Sequence, residues 1–184
     1  MILPIYAYGH PVLRRPGKEV EKSTELETLI ENMWETMYNA NGIGLAAPQV
    51  GKSLRLFLVD TLQMDEDGAE ETKGMKEVFI NPVILSEEGE EKPYEEGCLS
   101  IPDVRGDVYR KEIVRIKYLD ADFNEKEKTL TGMNARVVQH EYDHIDGKLF
   151  TELLPPLRKR LIKRKLESIR KGKISSDYRM RFAS

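Results

Sequence analysis

The five residues His140-Glu141-Tyr142-Asp143-His144 constrain this chain more than any other stretch. They hold two of its three histidines, four positions apart, with a glutamate directly after the first. On a helix that spacing puts both imidazoles on one face, where they can share a metal ion while Glu141 reaches a water on it. The flanks suit a helix. Ala135-Arg136-Val137-Val138 precedes the motif, a start is predicted near Thr131 or Gly132, and Gly147 is a natural stop. The only cysteine, Cys98, lies in Glu96-Gly97-Cys98-Leu99-Ser100. Its thiolate can complete a three-ligand site with one coordination position open, the pattern of a catalytic metal. Plainer readings stand beside these: a histidine pair can sit on a solvated face or in a hydrogen-bonded core, and a lone cysteine can be a small buried hydrophobe or a reactive thiol.

A length of 184 residues suits one domain, or one domain with an appendage, and can bury a sizeable core. With 40% hydrophobic and 33% charged residues the composition is that of a soluble globular protein, and no apolar run approaches the roughly 20 residues that cross a bilayer. A membrane role is not expected. Met1 to Tyr6 has neither the basic start nor the apolar stretch of a signal peptide, and one cysteine cannot close an internal disulfide; both point to the cytoplasm. The net charge of −3 hides a division. From Arg158 onward eleven Lys and Arg stand against Glu167 and Asp177, a balance of +9 that leaves −12 on the rest. Such a tail can meet a polyanion, or it can simply be a solvated face.

Thr24 and Glu27 read as a capping box opening an amphipathic helix whose stripe is Leu26, Leu29, Ile30, Met33, Trp34 and Met37, running to Asn41-Gly42. Core packing explains that stripe without a ligand. Leu54 to Val59, Val78 to Leu85 and Ile113 to Leu119 read as antiparallel strands, and Lys126 to Leu130 as a turn or ribbon. Gln63 to Lys76, rich in Asp, Glu and Gly, reads as an exposed loop. After the break at Pro155-Pro156, Leu157, Leu161, Ile162, Leu166 and Ile169 form an apolar stripe on a basic helix ending near Gly172. The order of Lys173 to Ser184 is left open. The division expected is a catalytic unit over 1–155 and a basic helix and tail over 156–184.

Three segments then converge: Gly42-Ile43-Gly44-Leu45-Ala46-Ala47-Pro48-Gln49-Val50, Glu96-Gly97-Cys98-Leu99-Ser100-Ile101-Pro102 and Gln139-His140-Glu141-Tyr142-Asp143-His144. In this order they resemble the three motifs of the bacterial peptide deformylases, and His10-Pro11-Val12-Leu13-Arg14 resembles that family's N-terminal segment. The resemblance covers nearly all of 1–155. It implies a metal-dependent hydrolase that removes the formyl group from the N-terminal formylmethionine of nascent chains. It also implies an α+β fold with antiparallel sheets around the metal-bearing helix. Cys98, His140 and His144 would hold one divalent ion, Fe²⁺ by the resemblance, with Zn²⁺ or Ni²⁺ also suited to the donors. Glu141 would move protons, and the Gln49 amide and the Leu99 N–H would face the oxyanion. Gln49 alone, beside Pro48, reads as an ordinary turn residue. Ile43, Tyr94, Met133 and Val137 would form the methionine pocket, Tyr94 standing where an aliphatic residue is expected. The backbone at Gly44 and Gly97 would approach the peptide, and Glu96 and Arg110 would support the ligands. The basic helix would dock the enzyme on ribosomal RNA.

Two other functions fit parts of the pattern. A metalloprotease would share the H-E-x-x-H chemistry but wants a further ligand downstream, and no histidine follows His144. An RNA-binding module with a structural metal would use the basic tail, yet its closed site needs a fourth protein ligand, with His10 or a carboxylate the only candidates.

Overall fold

The computed structural model describes residues 1–64 and 73–183. Its centre is a five-stranded sheet in the order β2-β3-β4-β5-β6, every neighbouring pair antiparallel. The strands are β2 (Gly44–Ala46), β3 (Leu56–Asp60), β4 (Lys76–Cys98), β5 (Ile101–Leu119) and β6 (Glu125–Leu130). β3 is buried at every residue, so both faces of the sheet are covered there. Helix α1 (Thr24–Asn39) packs Leu26, Ile30, Met33 and Met37 on Leu56, Leu58 and Ile80. Helix α2 (Gly132–Ile145) packs Ala135, Val137, Val138 and Ile145 against Phe57, Val59 and Phe79. Because alternate strand residues point to opposite faces, the sheet lies between the two helices.

β4 and β5 form one long hairpin in which Cys98 faces Ile101, leaving Leu99 and Ser100 as a two-residue turn. Register shifts at Ile80/Val83, Ile84/Ser86 and Glu88/Glu91 mark bulges along it, and a further shift falls between Gly97 and Cys98. Along β5 the buried positions alternate through Val104, Gly106, Val108 and Arg110, then Val114, Ile116 and Tyr118. Arg110 thus occupies the inward register of an otherwise apolar face. A third core cluster joins Ala7, Val12, Ile101, Val104 and Val108 to Ile162 and Ile169 of helix α3 (Pro156–Arg170). The N-terminal strand β1 (Ile5–Tyr6) pairs in parallel with β7 (Met180–Arg181), so the last described residues return to the first.

The architecture is the expected α+β one, and the differences from the sequence reading have local causes. Ser23, not Thr24, caps α1: its side chain accepts the Leu26 N–H at 3.1 Å, which makes Thr24 the first helical residue. β4 and β5 run far beyond Val78 to Leu85 and Ile113 to Leu119, because polar segments such as Glu87 to Lys92 are held by ladder bonds rather than by burial. In α3 the stripe is half outward: Ile162 and Ile169 are buried while Leu157 and Leu161 are 64% and 65% exposed. Most of the Gln63 to Lys76 loop, residues 65–72, lies outside the described residues. Gly147 ends α2 as expected, with φ of 76° just past the Asp146 cap.

Candidate active site

Helix α2 and the hairpin turn between β4 and β5 bring the three candidate ligands together. The ligand atoms of Cys98, His140 and His144 all lie within 4.8 Å of one another. His144 Nε2 is 3.4 Å from the Cys98 sulfur. His140 donates its Nδ1 proton to Glu96 Oε1 at 2.9 Å, which fixes the tautomer and leaves Nε2 for a ligand bond. One sulfur and two imidazole nitrogens at this mutual distance fit a tetrahedral ion with a position to spare. Beside them Glu141 is buried, and its Oε2 has no hydrogen-bond partner among the described residues. An orphan carboxylate oxygen next to a thiol and two imidazoles is what a metal–water group would satisfy, so the residues present fit such a group.

Charges behind the ligands are paired rather than solvated. The Arg110 guanidinium grips Glu96 with Nε at 2.7 Å and Nη2 at 3.0 Å, and its Nη1 reaches Asp143 Oδ2 at 2.9 Å. Arg136 adds a 2.9 Å bond to Glu96 and ties it to the Val108 and Lys92 carbonyls at 2.8 and 2.7 Å. Burial alone would raise the Glu96 pKa, but the hydrogen bonds from His140 and Arg110 win and hold it well below the usual carboxylate range. Glu141 lacks such donors, and burial, outweighing the attraction of His140, pushes it up to about 7. The two imidazoles diverge. Burial, and then repulsion from His140 whenever that ring is protonated, depress His144, whereas the bonds of His140 to Cys98 and Glu96 overcome its burial and raise it.

Gln49 is fully buried in the one-turn 3₁₀ helix Ala47–Val50. Its Oε1 accepts the Ala46 N–H at 3.0 Å, which aims Nε2 at Ser100 Oγ (3.2 Å) and the Cys98 sulfur (3.4 Å). Gly44 is the close approach in β2: a Cβ there would stand 2.6 Å from Glu141 Oε1. A cleft of about 600 Å³ opens over Cys98, His140 and Glu141. Ile43, Gly44, Tyr94, Gly97, Met133 and Val137 all line it, as do Gln49, Glu96 and Leu99. His144 and Arg110 lie beneath this lining. Tyr94, 41% exposed, sits at the rim with the Arg136 guanidinium 5.7 Å from its ring.

The sequence reading missed Ser100, Arg136 and Asp143. The last two had a signal, since Arg136 precedes His140 by one helical turn and Asp143 lies within the motif. Tyr178, whose hydroxyl donates to the Leu99 carbonyl at 2.6 Å, had none.

Fold and site together define the class of a metal-dependent hydrolase, with Cys98, His140 and His144 placed where they would hold an ion beside a buried carboxylate. The model of the polypeptide deformylase family matches residues 2–160, and the chain belongs to that family. It is 52% identical over 189 residues to the peptide deformylase of Christiangramia forsetii, covering 99% of this chain and 96% of the other. With that of Flavobacterium psychrophilum it shares 53% over 188 residues, 98% of this chain and 97% of the relative. The crystal structure of a Legionella pneumophila peptide deformylase superposes with a TM-score of 0.82 at 40% identity, covering 94% of this chain and 98% of that one. The Thermus thermophilus enzyme gives 0.83 at 40%, covering 94% and 99%. The family's enzymes remove N-formyl groups from nascent polypeptides with a single catalytic metal, and this chain is an enzyme of that kind.

Proposed function

We propose that deformylation here is carried by Cys98, His140 and His144 as ligands of one Fe²⁺, which Zn²⁺ or Ni²⁺ can replace, with Glu141, Gln49 and Leu99 acting on the substrate. The observation that carries the assignment is the approach of the three ligand atoms within 4.8 Å beside the unpartnered Glu141 Oε2. When bound, the ion acts as a Lewis acid and lowers the pKa of water toward neutrality. Glu141 takes a proton from the attacking water. The new C–O bond forms at the formyl carbon, the C–N bond breaks, and Glu141 returns the proton to the departing amine, leaving formate and a free N-terminus. The Gln49 amide and the Leu99 N–H donate to the formyl oxygen as negative charge builds on it.

Ile43, Tyr94, Met133 and Val137 take the methionine side chain, and backbone at Gly44 and Gly97 lets the peptide lie close. Glu96 and Arg110 keep His140 aimed. In this reading 1–155 carry the chemistry and the basic helix of 156–184 docks the enzyme on ribosomal RNA in a bacterial cytoplasm. Supporting the docking are Arg160, Lys163 and Arg164 of α3 with Lys171 and Lys173 just past its end, which line one surface depression together with Glu167 and Ser168. Anaerobic turnover of a formyl-Met-Ala-Ser peptide by the iron-loaded protein tests the chemistry. Wild type should turn over and lose activity in air as iron and thiolate oxidise. Glu141→Ala, still metal-loaded, should fall roughly 10²- to 10⁴-fold. An active Glu141→Ala would refute the proton-transfer assignment.

A further inference from the structure

We propose that Tyr178, reaching in from the C-terminal tail, is a positioning residue for the Leu99-Ser100 hairpin turn that follows Cys98. The inference rests on the assignment of the Leu99 N–H to the oxyanion.

A two-residue turn has few ladder bonds of its own, and this one is held from outside at three points. The Tyr178 hydroxyl donates to the Leu99 carbonyl at 2.6 Å, the Tyr8 N–H donates to the Ser100 carbonyl at 2.9 Å, and Gln49 Nε2 donates to Ser100 Oγ at 3.2 Å. The Leu99 carbonyl and N–H belong to peptide planes hinged at one Cα. Fixing the carbonyl therefore narrows the directions the N–H can take.

The tail is anchored well enough to do this. Ile5 and Ala7 donate to the Arg179 and Arg181 carbonyls, each at 2.9 Å, in the parallel β1–β7 pair. Ile174, Met180 and Phe182 pack on the cluster containing Ala7, Ile101 and Ile169. Ser175, Ser176 and Asp177 line the same cleft as Cys98 and Glu141, so the segment forms a wall of the site. All of it lies beyond residues 2–160, where the family model ends. The tail thus crosses the division between a catalytic 1–155 and an appended 156–184.

Tyr178→Phe in the full-length, iron-loaded enzyme is the test, since the ring keeps its packing and only the hydroxyl is lost. With formyl-Met-Ala-Ser, kcat should fall roughly three- to tenfold, well short of the roughly 10²–10³ lost when such a donor is removed. KM should stay within about twofold. Amide hydrogen exchange over residues 97–101 should quicken in the same sample, a readout independent of turnover. Unaltered exchange overturns the proposal by removing the anchor. Faster exchange with unaltered kcat overturns it by removing the Leu99 assignment, while wild-type turnover abolished in Glu141→Ala leaves the rest of the proposed function standing. A rise in KM matching the fall in kcat also overturns it, because the loss would then be in binding.

Discussion

Two regions of this molecule are rich in charge, and they use it in opposite ways. Around Glu96, Arg110, Arg136 and Asp143 the charges sit in or just behind the core, each with a partner at 2.7–3.0 Å. Along α3 and its C-cap the charges face outward: Glu167, Arg170 and Lys171 pair at 2.6–3.3 Å, but with side chains 45–49% exposed. Buried charge without a partner is costly, so the first group has essentially one arrangement, and that arrangement points His140 at the ligand cluster. Exposed pairs are screened and replaceable, so the second group fixes no geometry and serves as a field. The same residue types thus set precise geometry where water is excluded and diffuse attraction where it is not.

The contrast breaks most visibly at Arg110. Arg110→Met should leave Glu96 and Asp143 underpaired and lower unfolding free energy by about 3–5 kcal/mol in urea titrations. Metal affinity should fall roughly 10- to 100-fold through the loosened His140. Gly44→Ala comes next: the added methyl displaces the Glu141 carboxylate, costing about 1–3 kcal/mol of stability and, in peptide turnover assays, roughly 10²-fold in kcat. Removing α3 charges should do least to the fold. Replacing Lys163, Arg164 and Lys171 together with glutamine should leave the urea midpoint where it was. Ribosome binding should weaken and lose roughly one unit of salt slope for each phosphate contact removed. Unchanged ribosome affinity there would end the docking proposal, and a large stability loss would end the contrast.

How much of this was legible in the sequence follows from the range of each interaction. The ligand helix was readable because His140 and His144 are neighbours by helical periodicity and its end is set by a nearby residue, Gly147, in the left-handed region. The strand centres were readable from β-branched runs, but the hairpin arms were not, since Glu87 to Lys92 has no apolar pattern and its order comes from pairing with β5. The Glu96–Arg110 link joins adjacent strands 14 residues apart, and by charge alone it reads as easily as a surface pair; only the inward register of Arg110 makes it a buried one. That half of the α3 stripe faces outward was not legible, because periodicity reports a face without saying what covers it. Tyr178 meets Leu99 across 79 positions through a parallel pairing that leaves no mark in either segment.

X-ray absorption at the metal edge of the zinc- or iron-loaded protein tests the central claim, that the hairpin turn and α2 hold one ion between Cys98, His140 and His144, most directly. The account predicts one sulfur at about 2.3 Å and two nitrogens at about 2.0–2.1 Å for zinc, with the sulfur lost in Cys98→Ala. A sulfur-free shell in the wild type, or one unchanged by Cys98→Ala, would contradict it.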